Sequence, residues 1–93
     1  MKYKLENRHL EIELTGNLNY VAAGEIEPLT VSAHKVTIDL TRSRIVDSEG
    51  VILLYKIVSR GKELRLKNPP EILAEIIPAL GLQHVLQLEQ ITL

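Results

Sequence analysis

The stretch that decides the fold is residues 36–67, which read VTIDLTRSRIVDSEGVILLYKIVSRGKELRLK. It opens with Val36–Leu40, a short β-branched segment typical of a central strand. It closes with Glu63–Lys67, where apolar and charged residues alternate as in a strand with one buried face. Between them, Gly50–Arg60 predicts a helix, and Gly61 stands where a helix-ending glycine belongs. Strand, helix and strand in this order predict a right-handed crossover between parallel strands.

The central helix is rich in apolar residues. We expect a wide apolar face that packs against a sheet, with the apolar positions Val51, Ile52, Leu54, Tyr55 and Val58. The residues that we expect to be largely buried in strand and helix together are Val36, Ile38, Leu40, Leu54 and Val58.

Upstream of this unit, Leu10–Leu14 alternates apolar and polar residues and predicts another half-buried strand. Tyr3 and Leu5 indicate a strand before it, with the turn at Asn7-Arg8. Val21–Leu29 has apolar residues at helical spacing. Because it contains a glycine and a proline, we expect a short helix of about two turns.

Downstream, Asn68–Pro70 stops the chain and starts a third helix, with Pro70 suited to the first helical position. Its apolar stripe is Ile72, Leu73, Ile76 and Ile77, and Pro78 ends or kinks it. Val85–Leu88 is the last strand. The resulting order, β-β-α-β-α-β-α-β, predicts an α/β fold. We expect a mixed, mostly parallel sheet of four to five strands, one antiparallel edge and about three helices.

Composition sets limits on function. Residues 1–93 are long enough for one domain, and a chain without Phe or Trp must build its core from Leu, Ile, Val and Ala. Eleven basic and twelve acidic residues leave a formal charge of −1, which argues against a nucleic-acid surface. The absence of cysteine favours a reducing compartment. Neither a signal peptide nor a run of about 20 apolar residues is visible, so we expect a cytoplasmic protein without direct membrane insertion.

Several short motifs follow one another in a recognisable order. They are Gly16-Asn17-Leu18-Asn19, Thr37–Thr41, Asp47-Ser48-Glu49-Gly50, Gly61–Leu66, Asn68 and Gly81-Leu82. From about Leu10 to Leu88 this series resembles the STAS family, named for sulfate transporters and anti-sigma-factor antagonists. The chain departs from the family pattern at Asn19, where Asp is usual, and at Glu49, where a hydroxyl or small residue is usual. The segment between Asn19 and Val36 is also about one to two helical turns short.

The resemblance implies a non-enzymatic regulatory module that docks on a partner protein through Asp47–Gly50 and the following helix. In anti-sigma-factor antagonists the Ser after this Asp is phosphorylated by a partner kinase, and here that residue is Ser48. The implied site residues are therefore Ser48, Asp47, Glu49 and Asn19. The leading partner is an anti-sigma factor or related serine kinase. The alternative is a cytoplasmic STAS accessory subunit of an ABC-type, Mla-like lipid transporter that binds the transporter's ATPase.

The Asp47–Gly50 loop also has a purely structural interpretation. Either Asp47 or Ser48 would serve as a helix N-cap by accepting from the first free N–H groups of the helix. Phosphorylation of Ser48 would add about −1.5 to −2 charges, and the flanking Asp47 and Glu49 oppose that addition. From the residues alone, a cap and a docking site both remain open.

Other residue types that support catalysis or metal binding are scattered. His9, His34 and His84 lie far apart, without the spacing of a metal-binding pair. Ser48 has no neighbouring His, and the glycines form no phosphate-binding loop. The sequence therefore predicts no enzyme activity, no metal and no cofactor.

Overall fold

The computed structural model describes residues 1–73, 75 and 86–89. Among these residues five strands form one sheet in chain order: β1 (Lys2–Glu6), β2 (His9–Glu13), β3 (Lys35–Asp39), β4 (Glu63–Lys67) and β5 (Leu86–Glu89). β1 is antiparallel to β2, and every later neighbour is parallel. The predicted α/β fold, with a mostly parallel sheet and one antiparallel edge, is confirmed.

The turn between β1 and β2 lies where the sequence predicted it. Asn7 and Arg8 have φ values of 50° and 63°, so both adopt the left-handed conformation that a tight two-residue hairpin turn requires. The carbonyl of Arg8 also accepts hydrogen bonds from the N–H groups of His34 at 2.7 Å and Lys35 at 3.3 Å. The hairpin is thereby joined to the start of β3.

Two helices connect the parallel strands. α1 (Tyr20–Leu29) follows β2, and α2 (Ser48–Ser59) follows β3. α1 has 10 residues and is longer than the expected two turns, because Pro28 falls in its last turn, where it ends the helix instead of preventing it. α2 begins two residues before the predicted start.

The end of α2 matches its prediction. Gly61 has a φ of 79° and its N–H donates to Val58 O at 3.0 Å, while the N–H of Lys62 donates to Ile57 O at 3.3 Å. These two bonds form the Schellman arrangement, which favours glycine because of the positive φ.

A third helical segment begins at Glu71 and includes residues 71–73. Pro70 therefore lies immediately before this helix and does not occupy its first position. Leu73 is buried as its place in the apolar stripe predicted. β5 begins one residue later than expected. The predictions for the remaining stripe and motif positions lie outside the described residues: Ile76, Ile77, Pro78, Gly81, Leu82 and His84.

The core lies between the helices and one face of the sheet. Strand register aligns Leu10, Val36 and Leu64 in one row, and Ile12, Ile38 and Leu66 in the next. All the buried apolar side chains in the described part of the chain are Leu, Ile, Val or Ala, as composition required. The charged side chains of the same strands alternate onto the other face.

The burial of α2 differs from its prediction at four of the five expected positions. Leu54 is buried as expected, but Val51 and Val58 are only partly buried, and Ile52 and Tyr55 are 43% and 52% exposed. The residues that face the core are Gly50, Leu53, Leu54 and Ile57. Their spacing is that of a single helical stripe, which is narrower than the apolar content of the helix suggested. In the described residues no helix has the length and apolar character needed to span a membrane.

Candidate functional site

The N-termini of α1 and α2 lie side by side. Leu18 and Val46, in the segments that lead into the two helices, form a parallel β-bridge, and the N–H of Asp47 donates to Leu18 O at 3.2 Å. The sequence motifs that contain Asn19 and Ser48 are 29 residues apart, and this bridge brings them together. Two sets of free helix N–H groups therefore open at one edge of the fold.

Asp47 satisfies N–H groups of both helices. Its Oδ1 accepts from Gly50 N at 2.9 Å, which caps α2, and its Oδ2 accepts from Tyr20 N at 3.0 Å in the first turn of α1. A carboxylate here also balances the positive ends of the two helix dipoles. Of the two capping candidates that the sequence left open, Asp47 is the cap.

Ser48 is consequently not the cap. It is the first residue of α2, its side chain is exposed, and its hydroxyl donates to no residue that the structure describes. Glu49 follows it, also exposed, in the first turn, where a negative charge is favourable to the helix dipole. The hydroxyl of Ser48 is thus accessible to solvent and does not cap the helix.

Asn19 has a local role that the sequence did not show. Its Oδ1 accepts from Ala22 N at 3.1 Å and caps α1. Asp and Asn are both good N-caps, so the departure from the family's usual Asp leaves this cap intact. A role for Asn19 in partner binding stays a prediction.

Gly50 lies where the two segments approach most closely. A Cβ atom built on Gly50 would lie 2.5 Å from Leu18 O, 2.9 Å from Leu18 Cγ and 3.1 Å from Val46 Cγ1. The nearest of these atoms is backbone, which has little room to move. The glycine therefore permits the β-bridge that places Asp47 beside α1.

The exposed side of α2 carries apolar residues that the sequence assigned to the core. Ser48, Ile52 and Tyr55 share one face of the helix because they are four and three residues apart. Beside them, Tyr20 at the start of α1 is 68% exposed. A shallow groove between the helices is lined by Tyr20, Gly24, Glu27, Glu49, Ile52 and Lys56. We call the exposed residues of this region the Ser48 surface: Tyr20, Ser48, Glu49, Ile52 and Tyr55.

The lower end of the groove is held by charge pairs. Glu27 on α1 forms ion pairs with Lys56 at 3.5 Å and with Arg60 at 3.2 Å. All three side chains are 36–48% exposed, so each pair contributes at most about 1 kcal/mol. These pairs join α1 to α2 and leave Glu49, at the upper end, as a carboxylate that no described residue pairs with.

The histidines do not converge on this site. His9 lies on β2, on the sheet face away from the helices, with Nε2 2.8 Å from Thr37 Oγ1 and Nδ1 3.7 Å from Glu11. His34 is exposed beside the start of β3, and His84 lies outside the described residues. Within residues 1–73, 75 and 86–89, no three His, Asp or Glu side chains are grouped to hold a metal ion.

Solved structures resemble this chain over nearly its whole length. A candidate anti-sigma factor antagonist from Thermotoga maritima has a TM-score of 0.72 at 16% identity, covering 99% of this chain and 86% of that one. The anti-sigma factor antagonist SpoIIAA in its unphosphorylated form has a TM-score of 0.73 at 18% identity, covering 98% and 90%. A sulfate transporter family protein from Wolinella succinogenes has a TM-score of 0.64 at 16% identity, covering 95% and 82%.

No protein-family model and no curated protein matches the sequence. At the identities above, the structural likeness establishes the fold. The chain therefore has the STAS-like fold that its ordered motifs predicted.

Proposed function

We propose that residues 1–93 act as one non-enzymatic, cytoplasmic regulatory module that docks on a partner protein through the Ser48 surface. One observation carries the proposal. Ser48 stands exposed at the start of α2, where Asp47 supplies the cap and the Ser48 hydroxyl donates to none of the residues that the structure describes. Two of the solved structures of the same fold are described as anti-sigma factor antagonists. That description supports an antagonist of an anti-sigma factor or related serine kinase as the leading form.

The apolar residues of the Ser48 surface support docking. Tyr20, Ile52 and Tyr55 are each between 43% and 68% exposed. The chain has only three tyrosines and neither Phe nor Trp. Tyrosine is enriched at protein interfaces because it buries a large area at a low cost in conformational entropy. Two of the three tyrosines therefore stand at the surface that the proposal assigns to the partner.

Phosphorylation of Ser48 would act on binding and leave the fold in place. Asp47 already accepts from Gly50 N, so a phosphoryl group on Ser48 would not replace the cap. It would add about −1.5 to −2 charges at the exterior, beside the exposed carboxylate of Glu49. A partner surface that packs on Ile52 and Tyr55 would have to desolvate this charge, and binding would weaken.

Glu49 favours a second candidate function. Because its carboxylate adjoins Ser48, it opposes both the approach of ATP-derived phosphate and the product charge. A module that docks constitutively has no such conflict. The accessory subunit of an Mla-like lipid transporter, bound to its ATPase through the same surface, is the form that fits this observation.

The proposal is tested with Ser48→Asp. We expect the variant to fold normally and to bind the partner at least about tenfold more weakly, a loss of about 1.4 kcal/mol. Affinity purification from the native host with mass spectrometry identifies the partner, and calorimetric titration measures the affinity. Ser32→Asp is the matched control, since Ser32 is exposed beyond the opposite end of α1. Equal affinities for wild type and Ser48→Asp would remove Ser48 from the interface.

The identity of the purified partner separates the two candidate functions. For the leading form, incubation with the partner kinase and ATP should add one phosphoryl group, at Ser48, and none to Ser48→Ala. Ser43 is an internal control because it is buried and its hydroxyl donates to Gly16 O at 2.6 Å. A transporter ATPase as the partner, with no phosphorylation, would favour constitutive docking.

A further inference from the structure

β1 is the most exposed element of the fold. All five of its residues are exposed, and Tyr3 and Leu5 remain 55% and 43% exposed although they lie opposite the buried Ile12 and Leu10. β1 is the first strand in the sheet order, so one edge pairs with β2. Within the part of the chain that the structure describes, no strand pairs with its other edge. Such an edge presents free N–H and C=O groups to any strand of matching pattern.

The sequence of β1, Lys-Tyr-Lys-Leu-Glu, matches itself when read in the opposite direction. Antiparallel pairing of two copies about Lys4 places Lys2 of each copy opposite Glu6 of the other, twice. It also places Tyr3 of each copy opposite Leu5 of the other, on the face that Leu10 and Ile12 occupy. Directly opposite residues on paired strands interact, so this register joins opposite charges on one face and apolar residues on the other.

Strand β2, next to β1, adds further carboxylates opposite the lysines of β1. Lys2 lies opposite Glu13 on β2, and Lys4 lies opposite Glu11. The one unfavourable pair of the register, Lys4 against Lys4, is therefore flanked by a Glu11 carboxylate on each side. Lysines usually keep sheet edges apart, but here each of them meets a carboxylate, either in its own copy or across the new pairing.

We infer that β1 is a dimerisation edge, at which a second copy of this chain adds its own β1 in antiparallel register to form one continuous sheet. This interface is separate from the Ser48 surface and does not depend on the proposed function. Two five-residue strands bury less than the roughly 1,200 Å² of a standard interface. The dimer is therefore weak and dependent on protein concentration.

Sedimentation velocity over a wide range of concentrations tests the inference. Wild type should pass from monomer to dimer as concentration rises. Lys2→Glu places two carboxylates opposite each other at both ends of the interface, and Glu6→Lys places two ammonium groups there. Each variant should raise the dissociation constant at least about tenfold. Both residues are exposed, and circular dichroism checks that the variants fold.

A mixture of the two variants is the decisive measurement. Lys2→Glu paired with Glu6→Lys restores opposite charges at both ends of the register, so the mixture should dimerise at concentrations at which each variant alone is still monomeric. The double variant, which carries both changes, should also dimerise. Lys4→Thr should tighten the dimer because it removes the one like-charge pair. A wild type that stays monomeric throughout, a dimer that survives both single changes, or a mixture that stays monomeric would each overturn the inference.

Discussion

The inner and outer sides of α2 contain similar apolar residues and differ in what covers them. On the inner side Leu53, Leu54 and Ile57 are no more than 2% exposed. On the outer side Ile52 and Tyr55 are about half exposed, next to Ser48. The apolar residues of this helix therefore do not by themselves indicate which of its sides packs against the core. The buried side chains of the inner side stabilise the fold. Substitutions on the outer side should change the free energy of unfolding little, so its residues are available for binding a partner.

The largest expected effect on this comparison comes from the inner side. Leu54→Ala removes a fully buried side chain and should lower the free energy of unfolding by about 2–5 kcal/mol. Tyr55→Ala, one residue along on the outer side, should cost less than about 1 kcal/mol. Urea unfolding of both variants measures the difference. Equal losses would show that the two sides are not distinct.

A smaller effect on stability is expected at Gly50, where the segments that lead into α1 and α2 approach each other closely. Gly50→Ala should destabilise by about 1–3 kcal/mol because the added Cβ meets Leu18 O. Gly24→Ala is the matched control on α1. Apart from its two chain neighbours and the backbone of its own helix, no atom of the described residues lies within 4 Å of its Cβ position, so this change should stabilise by about 0.4–1 kcal/mol through the unfolded chain. The same chemical change should thus have opposite signs in the two helices. Thermal melts of the pair test this directly, and a neutral Gly50→Ala would mean that the β-bridge yields easily.

The smallest effects separate the cap from its neighbour. Asp47→Ala removes the acceptor for Gly50 N and Tyr20 N, and it should cost about 0.5–2 kcal/mol. Asp47→Asn keeps an acceptor oxygen and should recover most of that loss. Ser48→Ala should change stability by no more than about 0.5 kcal/mol, since its hydroxyl caps nothing. Denaturant unfolding in low salt compares the three, and a Ser48→Ala loss as large as that of Asp47→Ala would reassign the cap.

The elements of the sheet were predictable because their signals are local. Alternation in Leu10–Leu14 and Glu63–Lys67, and β-branching in Val36–Leu40, identify strands whatever the rest of the chain does. The left-handed turn at Asn7-Arg8 and the helix end at Gly61 are equally local, because each depends on a residue that tolerates positive φ. The STAS-like fold was predicted in a different way, from the resemblance of the ordered motifs between about Leu10 and Leu88 to the STAS family.

The residues of the Asp47–Gly50 loop were predicted as part of the site, but the role of each residue was not. Asp47 and Ser48 are equally good N-caps as residue types, and only the path of the chain decides which of them stands one residue before the helix. Tyr20 was not connected to the site at all, since its contact with Asp47 spans 27 residues. The periodicity of apolar residues in a sequence does not indicate a contact between residues so far apart.

The sequence by itself determined which segments are strands and helices, that the core is built from Leu, Ile, Val and Ala, and that a helix follows the Asp47–Gly50 motif. Only the tertiary structure decided which stripe of α2 is buried, that Asp47 links two helices, and that Ser48 is left with an accessible hydroxyl. The physical reason is that backbone hydrogen bonding and alternation are properties of neighbouring residues. Burial and cross-helix bonds depend on how α1, α2 and the sheet pack against one another, through the bridge between Leu18 and Val46.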